Sequence, residues 1–204
     1  MAEVRLRGIS SESEAVLASK WFGPTSRGAF LTNDIRENVQ AGQLLAKSQA
    51  GGLLLFCDEN DVPFGLGTFT PKGNPRNYEV AVIIGEESLW ETGRGALASS
   101  LLVDHLFLTL DAHRVFAMTL AVNPHAISTL STGGFLLEAR LRDHYFVDGR
   151  FEDCLVWSQL REEYDKTVEA CHPESAFVTA PSISPEMRTR AERLLLRIAE
   201  DCAS

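Results

Sequence analysis

The chain has 204 residues, 45% of them hydrophobic and 23% charged, which suits one globular domain with a sizeable core. Its net charge of −9 argues against a general nucleic-acid binder, whose affinity comes from neutralising phosphates; it is compatible with cationic amines or basic peptides as partners, or with solubility alone. No apolar run approaches the roughly 18 residues of a membrane span, and the start, Met1-Ala-Glu-Val-Arg-Leu-Arg, lacks a signal-peptide core, so a cytoplasmic protein is expected.

In chain order, residues 3–8 alternate apolar and polar and read as a first strand. Ser11 to Trp21 reads as a short amphipathic helix opened by serines. A second helix is expected from about Asn33 to Ser48, capped by Thr32 or Asn33, with Ile35, Val39, Leu44 and Leu45 as its stripe and Gly51-Gly52 ending it. The period then changes to two. Leu53–Cys57, Pro63–Thr70 and Tyr78–Gly85 read as strands, and their short connections predict an antiparallel meander. A turn at Gly93–Gly95 opens a long apolar helix from about Ala96 to Ala112. The strand Arg114–Ala121 follows a helix, so it is expected to lie parallel to the strand before the glycines. A short helix at about Pro124–Gly133 leads to two strands around the turn Val147-Asp148-Gly149-Arg150.

After about Glu163 the texture shifts. Residues 170–184 read as a linker, and Ser184-Pro185-Glu186 starts a helix with a basic face and a stripe of Met187, Ala191, Leu194, Leu195 and Ile198. The plain reading packs this helix on the body or on the mate in a homodimer; the functional one has it guard the substrate cleft. The expected organisation is a domain over 1–163 and an appendage over 164–204. Cys57, Cys154, Cys171 and Cys202 are dispersed and form no CxxC pair, which predicts reduced, mostly buried thiols and no metal site.

The segment that carries chemistry is Tyr78–Leu160. A strand ending at Gly85, a turn with Gly93 and Gly95 two apart, and the start of a helix make a cradle for a pyrophosphate, with free N–H groups and the helix dipole facing the anion. Such a turn is often only a tight turn. It is neither a full G-x-G-x-x-G nor a P-loop. Ser99, Ser100 and Ser131 have no His/Asp partners at a recognisable spacing, so a hydrolase triad is not indicated. Glu138 and Arg142 read as a solvated strand face, and Trp157 and Phe151 as core.

Trp90-x-x-Gly93-x-Gly95 resembles the acetyl-CoA loop of the GNAT superfamily in the form seen in its ribosomal-protein N-terminal acetyltransferase (RimJ/RimL-like) branch. His113-Arg114-Val115, Asn123-Pro-His-Ala126, Gly134-Phe135-Leu-Leu-Glu138, Leu141-Arg142 and Asp148-Gly149-Arg-Phe151-Glu-Asp153 fall in that branch's order, so the resemblance covers roughly residues 3–163. It implies a mixed α+β fold: a mostly antiparallel seven-stranded sheet, splayed between strands 4 and 5 and flanked by helices. It also implies acetyl-CoA as acyl donor. Ile83, Ile84 and Gly85 would bind the cofactor's amide arm through the backbone, one N–H polarising the thioester carbonyl. Glu91, Thr92, Gly93, Arg94, Gly95 and Ala96 would hold the pyrophosphate, with Arg94 a charge at its rim. Asn123 would bind the arm, cap the helix at Pro124, or do both.

For catalysis, the resemblance makes Glu79 the carboxylate best placed as base. The acid departs from the pattern: where the branch often has Ser this chain has Ala126, and where other members have Tyr it has Leu130. Ser128 and His125 are near in sequence but match no pattern; Tyr145 is a distant candidate, and solvent could serve. At pH 7 about one α-amine in ten is neutral, against about one lysine in a few thousand. A site with weak base machinery therefore favours α-amines. The expected activity is transfer of an acyl group to a primary amine, foremost a peptide or protein N-terminus, by direct attack in a ternary complex. A small-amine (antibiotic or polyamine) acetyltransferase and a non-catalytic acyl-CoA-binding regulator are the alternatives.

Overall fold

The computed structural model of the chain describes residues 3–22 and 39–170 and, near the C-terminus, positions 186, 187, 189, 190 and 193. The elements are β1 (Arg5–Arg7), α1 (Glu12–Trp21), α2 (Ala41–Gln49), β2 (Leu53–Cys57), β3 (Pro63–Pro71), β4 (Asn77–Ile84), α3 (Arg94–Asp104), β5 (Arg114–Leu120), α4 (Pro124–Thr132), β6 (Leu136–Val147), β7 (Arg150–Leu160) and α5 (Arg161–Ala170). A 3₁₀ turn, Glu87–Thr92, precedes α3, and the helix expected to reach Ala112 leaves α geometry at Asp104 for a π turn over His105–Thr109. The expected start of the second helix, with Thr32, Asn33 and Ile35, lies outside the described residues. So do the 170–184 linker (apart from Ala170, the last residue of α5), Cys171, Cys202 and most of the C-terminal helix.

All seven strands form one sheet in the order β1-β2-β3-β4-β5-β7-β6. Neighbours joined by short turns pair antiparallel, whereas β5, reached through α3, pairs parallel with β4. This is the mixed α+β sheet that the motif order implied. The parallel pairing is brief: Asn77, Tyr78 and Glu79 face Arg114, Val115 and Phe116. Beyond Glu79 the two strands run on unpaired to Ile84 and Leu120. The sheet therefore has an opening in its middle.

Alternation along each strand splits the core between the two faces. On one face Phe56, Phe69, Val80, Leu102, Leu106, Phe107 and Val115 pack with α3. On the other, Trp21, Leu44, Leu55, Leu66 and Ile83 pack with α1 and α2. Ser11 caps α1 by accepting from the Glu14 N–H at 3.3 Å. Gln43 Oε1 accepts from the Gln40 N–H at 3.0 Å and closes the start of α2.

Arg7 pins the short β1 to two other elements. It donates to Glu14 on α1 through both terminal nitrogens, at 2.7 and 3.0 Å, and through Nε to Asp61 at 2.8 Å. The Arg7 guanidinium, helped by the Ser10 N–H and hydroxyl, lowers the Glu14 carboxyl from 4.5 to about 2. A depressed acid stabilises the fold above its unfolded value, and that contribution is lost as pH falls through the folded one. Stability is therefore expected to drop between pH 4.5 and about 2. Glu14→Gln should flatten that limb by about 1 kcal/mol, since the pair is partly solvent-screened. Urea unfolding at pH 6 and pH 3 checks this; equal acid sensitivity in the variant would refute it.

The body continues through α5. Tyr164 is 5% exposed, stacks on Phe107 with ring centroids 4.4 Å apart, and donates its hydroxyl to Asp104 at 2.7 Å. Burial, then Asp104, pushes the phenol far above its ordinary range, so it stays a donor at every working pH. Tyr164→Phe removes a donor from a buried carboxylate and is expected to cost about 2 kcal/mol. Its chemical-denaturation midpoint checks this, an unchanged value counting against a structural bond.

Trp157 is buried, as expected, and donates from Nε1 to Thr119 at 3.1 Å. Phe151 is not core. It is 64% exposed at the β6–β7 hairpin, where its ring meets that of Phe146 edge-on at 5.1 Å. The hairpin runs past the helices that cover the sheet, so alternation there selects no buried face. Glu138 is more engaged than a solvated position: it pairs with Arg114 of β5 and accepts from the Ser158 hydroxyl at 2.7 Å. Among the described residues no helix is long and apolar enough to cross a membrane.

Candidate active site

The opening between β4 and β5 is the mouth of a continuous cleft of about 860 Å³. On the α3 face it runs between α3 and α4; on the other it reaches Thr68, Thr70, Lys72, Glu79 and Lys47 of α2. Of the residues expected at the site, Glu79, Ile83, Ile84, Glu91, Gly93, Gly95, Ala96, Asn123 and Tyr145 line this cleft. Gly85, Thr92 and Arg94 are not part of its lining.

Backbone polarity explains how the opening binds. Gly85 N–H donates to Phe64 O at 2.9 Å, so alternation along the antiparallel ladder gives Ile83, Ala81 and Glu79 to β3. The backbones of Val80, Val82 and Ile84 then turn toward β5. Where β5 has diverged, those of Val82 and Ile84 face the cleft. Of the three residues expected to present free groups, Ile84 turns its backbone to the cleft, and Val82, which the sequence reading missed, joins it. The Ile84 carbonyl accepts from Trp90 Nε1 at 2.9 Å, which latches the loop before Gly93 onto the end of β4.

At the loop's end Gly93 has φ 81°, a left-handed conformation that suits glycine, and it caps α3 without a side chain. A Cβ on Gly95 would approach Ile84 Cγ1 at 3.3 Å, so helix and strand are close enough to share one ligand. Leu97 N–H makes the first intrahelical bond, to Gly93 O at 3.1 Å, and of the amides before it Arg94 N–H reaches the Thr92 hydroxyl at 3.5 Å, which leaves those of Gly95 and Ala96 outside the helix ladder for an anion. This cradle fits a pyrophosphate. The Arg94 side chain points elsewhere, lying over the Phe64 ring and pairing with Glu59 at 3.7 Å, so it offers the cleft its backbone and not a rim charge. Asn123 is buried and accepts from Ala126 N–H at 3.1 Å, which bears out its capping role.

Glu79 and Tyr145 line the same cleft. Tyr145 of β6 lies close to the Cys154 thiol. Burial pushes Cys154 up against the pull of Tyr145, so the thiol is protonated and inert at neutral pH. Glu79 pairs with Lys72 at 3.4 Å. Ala126 and Leu130 line the cleft and bring no hydroxyl, whereas Tyr145 does. His144, whose ring meets that of Tyr145 edge-on at 4.5 Å, and Lys47 and Lys72 also line the cleft. No motif pointed to these three. The only sequence signal was a basic or imidazole side chain near a candidate, which is too common to select.

No protein-family model matches the chain. An uncharacterised N-acetyltransferase, p20, of Bacillus licheniformis is 27% identical over 168 residues, covering 78% of this chain and 93% of that protein. Among solved structures, spermidine N-acetyltransferase from Vibrio cholerae with CoA and spermine superposes with a TM-score of 0.69 at 17% identity, covering 79% of this chain and 97% of that one. Ribosomal-protein-S5-alanine acetyltransferase from Vibrio fischeri gives 0.65 at 15% identity, with coverages of 79% and 97%. The sheet with its single parallel, splayed pair is therefore the GNAT fold. The relatives in sequence and the neighbours in fold carry the names of N-acetyltransferases, enzymes of the acyltransferase class.

Proposed function

We propose that the protein transfers an acetyl group from acetyl-CoA to the α-amine of a peptide or protein N-terminus, by direct attack in a ternary complex. The observation that carries this is the opening itself. It crosses the sheet, with an anion cradle on the α3 face and Glu79 on the other, so donor and acceptor can enter from opposite faces and meet in the gap.

Acetyl-CoA supplies an activated thioester. The chain's residues do the rest. The amides of Gly95 and Ala96 hold the pyrophosphate, while the backbones of Val82 and Ile84 pair with the amide arm as a neighbouring strand would. A cleft-facing N–H of β4 polarises the thioester carbonyl. Glu79 takes the proton that the amine sheds as its nitrogen bonds the acetyl carbon, and Tyr145 returns a proton to the sulfur as the C–S bond breaks. The S5-alanine acetyltransferase likeness supports a peptide acceptor, and the spermidine acetyltransferase likeness supports a polyamine. What favours the peptide is the pairing of Glu79 with Lys72, because a site for a polycation needs carboxylates free of lysine partners.

The test is acetyl-CoA-dependent thiol release with free-N-terminus peptides, lysine peptides and polyamines. Release with the first group, abolished by blocking the α-amine, is expected. Comparable turnover of lysine or polyamine overturns the N-terminal assignment, and no release with any amine overturns the transferase reading.

A further inference from the structure

The acceptor end of the cleft carries a charge opposite to the chain's net one. The whole chain has 28 acidic against 19 basic residues, yet the wall on the α2 face presents Lys47 and Lys72 with a single carboxylate, Glu79. The other carboxylates lining the cleft belong elsewhere. Glu91 sits in the turn that leads to the anion cradle, and Asp104 accepts from Tyr164 at the deep end. Thr68 and Thr70 complete this wall; they pair across the ladder with Ala81 and Glu79 and therefore project on the same side as Glu79.

Glu79 accounts for one ammonium at most. The Lys72 amine, 3.4 Å from Glu79, has three donors and a half-exposed side chain, so it can hold a second anion beside that carboxylate. Among the described residues no ion pair involves Lys47. Two cations and two hydroxyls share this wall of the cleft with one carboxylate, and charge in a cleft is screened less than on open surface, which makes the wall a receptor for a negative group. A polyamine placed there would bring its remaining ammoniums against two lysines.

We infer that the acceptor carries a carboxylate close to its reacting amine, held by Lys47 and Lys72 so that the amine is aimed at Glu79. This rests on the N-acetyltransferase reading and narrows its substrate. An acidic residue early in a peptide and a free acidic amino acid offer the same chemistry.

The test uses equilibrium binding, so that it does not depend on turnover. N-acetylated products are titrated into the full chain in the presence of CoA: a peptide with glutamate at its second position, its lysine counterpart, N-acetylglutamate and N-acetylspermidine. The acidic peptide or N-acetylglutamate should bind about tenfold more tightly than the lysine peptide and N-acetylspermidine, with a gap that narrows as salt rises. Which of the two acidic ligands binds better distinguishes peptide from free amino acid. Lys47→Glu should reverse the preference, and Lys47→Gln should reduce it, with acetyl-CoA affinity as the check that each variant is folded. Equal or tighter binding of the cationic ligands, or a preference untouched by both variants, overturns the inference. Failure of the transferase reading is separate and appears as absent thiol release with every amine.

Discussion

Gly85→Ala is expected to destabilise the protein by about 3 kcal/mol, the largest effect of any single methyl group in the site. A Cβ built there would lie 2.1 Å from Nε1 of Trp21 and 2.2 Å from two of its ring carbons, far inside any real contact. The indole cannot swing aside cheaply. It is buried at the end of α1, within the cluster formed with Leu44, Leu55 and Ile83. Relief must come from shifting α1 or from pulling β4 away from β3, and the second would break the Gly85–Phe64 bond that orients the cleft-facing backbone. Urea unfolding measures the loss. Trp21→Leu should recover much of it in the Gly85→Ala background, although alone it destabilises. Strict additivity of the two changes would show that the clash is not the cause.

Glu79→Gln should lower kcat/KM by about 100-fold at neutral pH. Tyr145→Phe should lower kcat by a similar factor. Acetyl-CoA affinity should hold in both, because neither residue lies at the anion cradle. An unchanged rate in Glu79→Gln would remove Glu79 from catalysis. An unaffected Tyr145→Phe would leave the proton to solvent.

Much of this was legible in the chain. Alternating residues bounded by turn signals located strands β2 to β4, and Asp148-Gly149 located the β6–β7 hairpin, because local turn chemistry and a period of two leave little choice. The Gly93 turn was legible for the same reason: a left-handed position before a helix selects glycine. What was hidden depends on relations between elements. Whether Val82 or Ile83 faces the gap is decided by hydrogen-bond parity with β3, which side-chain patterning does not encode. Phe151 has the pattern of a core residue, but among the described residues no helix covers its end of the hairpin. Arg94 follows the glycine as a phosphate ligand would, yet Phe64 and Glu59, some thirty residues away, take its side chain. Lys47, Lys72 and Glu79 come from a helix, a turn and a strand, and only the fold makes them neighbours.

The gap between β4 and β5 leaves the sheet incomplete until a ligand fills it. A donor that supplies the missing edge binds the folded chain and not the unfolded one, so at 100 times its dissociation constant it adds about 2.7 kcal/mol of stability. The folded fraction then rises and falls with donor supply.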